Sequence, residues 1–291
     1  MPWLSLTFDL EDLSAQLCEE ACFEAGAVSV TFTDRRDDPV LEPAPGEVRL
    51  WPDSRLQALF EADADPRAVV ALLQQRLDRE PPGLAIERLE DRLWEREWLK
   101  DFHAMRFGQR LWVCPRHEVT AEPGAVVVLL DPGLAFGTGT HATTAMCLEW
   151  LDAHPPAGTR VIDYGCGSGI LAIAALKLGA REAHCFDIDP QALIATTDNA
   201  RDNGVSDRLV IQERAAALPA GCDVLLANIL SGPLCRLAPD FAALVRSGGR
   251  LVLSGLMEHQ EPEVTQSHAP WFDVHRIALR DGWVALEARR R

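Results

Sequence analysis

No run in this chain approaches the ~18 consecutive apolar residues that a membrane-spanning helix requires, although hydrophobic residues make up 47% of its 291 residues. The opening Met1-Pro2-Trp3-Leu4-Ser5 lacks a basic region ahead of an apolar stretch, so no signal peptide is expected and the protein is placed in the cytoplasm. The eight cysteines include no C-x-x-C pair and the eight histidines no H-x-x-x-H pair. That excludes a zinc ribbon, gives no support to a disulfide framework, and leads us to expect no metal. Cys18 and Cys22, one helical turn apart, read as helix packing. Positive charge is scarce as well, with 28 Lys plus Arg against 44 Asp plus Glu, a net charge of −16. Residues 1–104 carry 23 acidic and 11 basic side chains, net −12, whereas residues 105–291 carry 21 and 17, net −4. Such an N-terminal third repels phosphate backbones and attracts basic proteins, so no direct nucleic-acid binding is expected.

The remaining pattern predicts two domains. Residues 3–8 alternate as a strand, Leu10–Ala25 form an amphipathic helix ended by Gly26, and Val28–Thr33 form a second strand. A charged, Pro-rich loop over Asp34–Gly46 leads to a third strand at Glu47–Trp51, a helix opened by Pro66 and running to Arg79, and a fourth strand at Leu84–Leu89. The order β-α-β-β-α-β is that of a ferredoxin-like module, assigned to residues 1–88. Glu90–Phe102, with Trp94, Trp98 and Leu99 at helical spacing, predicts a linker helix within residues 89–104. In 105–291, strands at Leu111–Cys114 and Val126–Leu130 flank a turn at Glu122-Pro123-Gly124. From Arg160 strands and helices alternate: Arg160–Asp163, a helix from Gly169, Ala183–Asp187, a helix from Pro190, Leu209–Gln212, Asp223–Ala227, a helix after Pro233 and Gly249–Ser254. That alternation argues an α/β domain with a doubly wound, mostly parallel sheet. Trp271–Leu279 and Trp283–Ala288, separated by Asp281-Gly282, predict a closing hairpin and an antiparallel edge strand.

Chemistry concentrates where those strands end. Val161-Ile162-Asp163-Tyr164-Gly165-Cys166-Gly167-Ser168-Gly169 leaves a strand and enters a helix, at the carboxyl edge where open parallel sheets bind ligands. Its spacing is G-x-G-x-G, with Ile170 after the last glycine, which disfavours the dinucleotide fingerprint G-x-G-x-x-G. Asp163 beside the turn suits a ligand carrying an ammonium and a sulfonium better than one carrying phosphates; a turn-capping carboxylate is the alternative. Asp187, 22 residues after Gly165, stands where an acid holds both ribose hydroxyls, and Asp189 before Pro190 reads as a helix N-cap. Asn228 closes an apolar strand at the same edge. Its amide oxygen suits holding the hydrogens of a neutral amine, whose lone pair must point at a transferable methyl. A plain turn role is the alternative.

One segment carries a specific resemblance. Asp131-Pro132-Gly133-Leu134-Ala135-Phe136-Gly137-Thr138-Gly139-Thr140-His141-Ala142-Thr143-Thr144 resembles the signature of the ribosomal protein L-eleven methyltransferases (PrmA type). Trp94-Glu95-Arg96-Glu97-Trp98, the Asp163–Gly169 turn, Asp187-Ile188-Asp189-Pro190 and Ala227-Asn228-Ile229-Leu230 resemble that family in the same order, over most of residues 90–260. Ala142 departs from it, where the family pattern has Pro. The resemblance implies a Rossmann-like, seven-stranded class I methyltransferase fold and S-adenosyl-L-methionine as cofactor. Thr144, Gly165, Asp187 and Asn228 match its cofactor-contacting positions, Phe136 covers the methionine portion, and Asp163 and Gly167 belong to the same turn. Asn228 would position the acceptor amine. The implied substrate is a basic ribosomal protein, L-eleven of the large subunit, modified on lysine ε-amino groups, with the N-terminal α-amino group as a second candidate acceptor. Thr143 or Thr144 is expected to cap the following helix, and His141 reads either as a base or as a loop-ordering hydrogen-bonding group. An Asn at this strand end also suits exocyclic amines of nucleic-acid bases, but such enzymes follow it with Pro-Pro-aromatic, where this chain has Ile229 and Leu230. A non-catalytic cofactor-binding protein would have no evident need for Asn228.

Overall fold

The computed structural model describes residues 3–36, 51, 53–89, 103–118, 122–130 and 139–291. The chain divides into two compact units, residues 1–97 and 98–291. The expected linker helix at Glu90–Phe102 lies outside the described residues.

In the first unit β1 (Trp3–Asp9), α1 (Ala15–Glu24), β2 (Ser29–Asp34), β3 (Ser54–Glu61), α2 (Pro66–Leu77) and β4 (Ala85–Leu89) follow in order. They build an antiparallel sheet ordered β2-β3-β1-β4, which is the ferredoxin-like arrangement. α1 starts later than expected because the Ser14 side chain accepts a hydrogen bond from Leu17 N–H and caps it. α2 opens at Pro66 behind the capping Asp65. The third strand is Ser54–Glu61; the expected strand at Glu47–Trp51 lies outside the described residues except Trp51, which is not in a strand. Ser54, Leu56, Ala58 and Phe60 are buried and the residues between them are not, a period of two. The buried residues meet Cys18 and Cys22 of α1 and Leu73 of α2 in one core.

The second unit contains a small sheet of β5 (Met105–Phe107), β6 (Leu111–Cys114) and β7 (Val126–Leu129), in which β6 and β7 run parallel. Then come α3 (Ala142–Ala153), β8 (Arg160–Tyr164), α4 (Ile170–Lys177), β9 (Glu182–Phe186), α5 (Pro190–Asp202), β10 (Leu209–Gln212), β11 (Cys222–Asn228), α6 (Ser231–Leu244), β12 (Val245–Met257), α7 (Glu261–His268), β13 (Phe272–Arg280) and β14 (Trp283–Arg290). The seven-stranded sheet has the order β10-β9-β8-β11-β12-β14-β13. Its two faces feed separate cores, one with α3 and α4, the other with α6 and α7. α4 is buried on every residue but Lys177, as its unbroken Ile170-Leu-Ala-Ile-Ala-Ala-Leu run requires. α6 begins at Ser231 rather than after Pro233; a proline in the first turn removes an N–H that has no intrahelical partner anyway.

One expectation is corrected. The antiparallel strand is not at the edge: β14 pairs antiparallel with both β12 and β13, so the edge strand β13 runs parallel to the rest. Burial explains the order. Val284, Ala285, Leu286 and Ala288 of β14 are buried, whereas most of β13 faces solvent, so the more apolar strand takes the inner place. Among the described residues no helix is long and apolar enough to cross a membrane.

One side chain ties β7 to the end of α5. Asn203, just past α5 and nearly buried, accepts from Leu129 N–H at 2.8 Å and donates to Leu129 C=O at 2.7 Å, pairing with the strand as a neighbouring backbone would. Asn203→Ala leaves both groups unpaired and should destabilise the protein by about 1–3 kcal/mol. Urea unfolding checks this, and a loss under half of the lower figure would show that the clip is dispensable.

Candidate active site

The turn after β8 owes its path to glycine. Gly165, Gly167 and Gly169 have φ of +78°, +54° and +78°, a region that side chains with Cβ rarely enter. Space reinforces conformation at two of them. A Cβ on Gly165 would lie 2.3 Å from Ile229 Cγ2, and one on Gly169 would lie 2.7 Å from Thr196 Cγ2. Around this turn the backbone is tied on three sides. Gly165 and Cys166 N–H donate to the Phe186 carbonyl at the end of β9 (2.8 and 3.1 Å). From α5, Thr196 Oγ1 donates to Gly167 C=O (3.0 Å) and Asn199 Nδ2 to Ser168 C=O (2.8 Å). Asp187 completes the hold, one oxygen accepting from Gly167 N–H at 2.9 Å and the other from Asp189 N–H at 3.0 Å. Each oxygen keeps acceptor capacity toward solvent, because Asp187 is only partly buried. Ile188 beside it is 90% exposed. Asp189 caps α5 as expected, accepting from Gln191 N–H at 2.9 Å.

Asp163 stands below this surface. It is 1% exposed and accepts from Ala172 N–H in the first turn of α4 at 3.0 Å. Burial pushes its carboxyl up to about 7, the Ala172 hydrogen bond opposes that, and the nearby Asp187 charge adds to it.

Asn228, at the end of β11, sits opposite Ser254 of β12. Its Nδ2 donates to Thr144 Oγ1 at 3.2 Å, and Thr144 is fully buried in α3. The helix cap is neither Thr143 nor Thr144 but His141, whose Nδ1 accepts from Thr143 N–H at 3.4 Å and lies 2.7 Å from Thr143 Oγ1. The His141 ring also packs edge-on against Trp283 with centroids 4.9 Å apart. This geometry favours the loop-ordering role of His141. Beside Asn228 opens a cavity of about 450 Å³ lined by His141, Thr143, Asn228, Ile229, Leu230, Gly255 and Trp283. Gly255 has φ +86°, and a Cβ there would lie 2.3 Å from the Ile229 carbonyl oxygen.

The structure therefore brings Gly167 to Asp187 and Thr144 to Asn228 by direct hydrogen bonds, and sets Asp163 beneath the glycine turn. Phe136 lies outside the described residues. Thr196, Asn199, Gly255 and Trp283 were not found from sequence. Thr196 and Asn199 sit in an ordinary amphipathic helix, Gly255 interrupts a strand in the way that marks a close backbone approach, and Trp283 is distant in the chain.

The profile of the family described as "Ribosomal protein L11 methyltransferase (PrmA)" matches residues 2–291. Ribosomal protein L11 methyltransferases of Pseudomonas putida (strain GB-1) and Klebsiella pneumoniae (strain 342) are 52% and 50% identical to this chain, each comparison covering 100% of both proteins. A crystal structure of ribosomal protein L11 methylase from Lactobacillus delbrueckii subsp. bulgaricus is 30% identical with a TM-score of 0.60, covering 65% of this chain and 100% of that one.

The raised Asp163 carboxyl has a measurable consequence. Its stabilisation of the fold is fully present below its ordinary range near 3.8 and is lost as pH rises through about 7. Asp163→Asn keeps an oxygen for Ala172 N–H and removes the charge, so it should raise the urea midpoint above pH 7 and leave it unchanged near pH 4. A lower midpoint at pH 8 would mean that the ionised carboxylate is the favoured partner.

Proposed function

This chain belongs to the ribosomal protein L11 methyltransferase (PrmA) family, and from that premise we propose that it transfers methyl groups from S-adenosylmethionine to amines of the large-subunit ribosomal protein L11. The acceptors are lysine ε-amino groups, with the N-terminal α-amino group as a second candidate. The observation that carries this reading is Asn228, whose amide is hydrogen-bonded to Thr144 and lines an apolar-walled cavity on the same sheet edge as the glycine turn and Asp187.

The residues fit that cofactor by the chemistry of their groups. The Asp187 carboxylate has room for two hydroxyl donors, exposed Ile188 next to it offers an apolar face for a purine ring, and the tightly turned Gly165–Gly169 backbone lets a ligand approach. Asp163 adds negative charge below the turn as pH rises past about 7. Thr144, Gly165, Gly167, Asp187 and Asn228, with Asp163 and Phe136, form the proposed cofactor site. Bound there, S-adenosylmethionine supplies an electrophilic methyl on a sulfonium.

The chain's own residues then have three tasks. Ile229, Leu230 and Trp283 wall the cavity and suit the alkyl stem of a lysine, excluding water from it. Asn228 presents its amide oxygen to the amine hydrogens, holding the lone pair in line without adding charge. The cavity's apolar walls also favour the neutral amine over the ammonium, whose ordinary pKa is ~10.4. The N-terminal unit, net −12 over residues 1–104, chooses the basic protein substrate rather than a nucleic acid, and the enzyme works in the cytoplasm.

Incubating the enzyme with purified L11 and cofactor should add whole methyl groups to the intact mass of L11, and an unchanged mass would overturn the proposal. Asp187→Ala should weaken cofactor binding by roughly 1.5–3 kcal/mol, the scale of hydrogen bonds to a charged group, as read by calorimetry. Unchanged affinity would remove Asp187 from the site.

Exposed acids on the first unit, among them Glu20, Glu61, Asp63 and Glu87, should steer the substrate at long range. Added salt, which screens exposed charges over ~8 Å at physiological ionic strength, should lower kcat/KM and leave kcat nearly constant. A salt-independent kcat/KM would reduce this acidity to a solubility role.

A further inference from the structure

A turn built on three glycines at positive φ does not hold its own shape. Glycine visits both signs of φ about equally readily, and Gly169, the N-cap of α4, has no side chain with which to cap that helix. The conformation of Gly165–Gly169 is therefore imposed from outside the turn. Two successive carbonyls are taken by one face of α5. Thr196 Oγ1 donates to Gly167 C=O at 3.0 Å and Asn199 Nδ2 to Ser168 C=O at 2.8 Å, and residues three apart in a helix share a face. The polarity of both bonds is fixed, because a carbonyl oxygen only accepts. The Thr196 hydroxyl proton thus goes to Gly167, and the hydroxyl oxygen is left to accept from the Cys166 thiol 3.4 Å away. Gly167 is held at its C=O by Thr196 and at its N–H by Asp187, at 2.9 Å. Thr196 is 0% exposed, and its Cγ2 would lie 2.7 Å from a Cβ on Gly169, so α5 packs directly on the turn.

We propose that Thr196 and Asn199 are positioning residues for the cofactor, holding the glycine turn from α5 in the shape that receives S-adenosylmethionine before it binds. This rests on the methyl-transfer reading and deepens it with two residues that act through the turn. When one of the two bonds is lost, the turn divides its time among other shapes, and the apparent cofactor affinity falls with the competent fraction. Bound cofactor selects the competent shape again, so turnover at saturating cofactor keeps its rate.

Thr196→Val keeps the shape and removes the donor, Thr196→Ser keeps the donor, and Asn199→Ala removes the second donor at a partly exposed position. Calorimetry with S-adenosylmethionine should show Kd weakened roughly three- to tenfold in Thr196→Val and in Asn199→Ala, the scale of one hydrogen bond. The double variant should bind more weakly than either, and Thr196→Ser should bind within about twofold of the unmodified enzyme. With saturating cofactor, kcat for L11 should stay within about twofold in every variant. Asn203→Ala is the control for general loosening of α5. Asn203 lies one helical turn beyond Asn199 and bonds Leu129 and the Asn199 backbone carbonyl rather than the glycine turn, so its loss should leave cofactor Kd unchanged. Unchanged Kd in Thr196→Val and Asn199→Ala would overturn the proposal, and so would equal weakening by Asn203→Ala or a loss of kcat at unchanged Kd. Deuterium exchange read by mass spectrometry on the peptide spanning residues 165–172 needs neither turnover nor cofactor. Exchange there should quicken in Thr196→Val and Asn199→Ala and not in Asn203→Ala; unchanged exchange refutes the hold. If the unmodified enzyme fails to methylate L11 while cofactor Kd and exchange respond as expected, the acceptor reading falls and the hold on the turn stands.

Discussion

Ile229 is held from two sides by the absence of side chains. A methyl group at Gly165 would come within 2.3 Å of its Cγ2, and one at Gly255 within 2.3 Å of its carbonyl oxygen. The peptide that follows Asn228 can reach its place only because both neighbours are glycine. That clearance joins three parts of the sheet edge, the turn after β8, the end of β11 and the irregular pairing of β12 with β14 between Leu253 and Leu256. The cavity lined by Ile229, Leu230, Gly255 and Trp283 exists where they converge. A close-packed interior does not stretch to admit even one methylene, so the site's dimensions are set by backbone approach before any polar group is placed.

On that frame four carboxylates do different work because their surroundings differ. Asp187 is partly exposed and bonded to two N–H groups, and keeps its remaining acceptor capacity toward solvent. Asp189, two residues further, is exposed and spends its carboxylate on the Gln191 N–H in the first turn of α5. Asp163 is sealed under the turn with one N–H partner, and burial raises its pKa to about 7. Asp152, on the other side of the unit, is consumed in holding the Gln109 and Arg110 N–H groups at the turn between β5 and β6. Residue type alone says nothing about which of these roles a carboxylate takes; solvation and the number of N–H donors decide.

Much of this was legible before any coordinates. Local rules locate β8, β9, β10 and β11, because each is a short apolar run bounded by turn residues, and they find the start of α2 at Pro66, the cap at Asp189 and the stop at Gly26. The sequence reading has a third strand at Glu47–Trp51, which lies outside the described residues except Trp51. The strand of the described structure, Ser54–Glu61, carries a period of two in burial that Arg55, Gln57 and Glu61 mask in sequence by making the segment polar. The place of the antiparallel strand is hidden in sequence for a different reason. A hairpin tells that two strands pair, but not which of them enters the sheet, and that was decided by the burial of Val284, Leu286 and Ala288 against the solvated face of β13.

The sequence by itself determined the residue types at the carboxyl edge: glycines where φ is positive, an acid at the end of the second strand of the parallel sheet, an amide at the end of the fourth. These are properties of short segments, and backbone sterics and strand ends impose them locally. Only the tertiary structure decided how those segments meet. The cap of α3 went to His141 because the ring could also pack on Trp283, 142 residues away in the chain. The Asn228 amide found its partner in Thr144, 84 residues earlier, and Asn203 reached back 74 residues to Leu129. Side chains so far apart in the chain meet only when a sheet of crossing connections brings them together, and no local pattern encodes that distance.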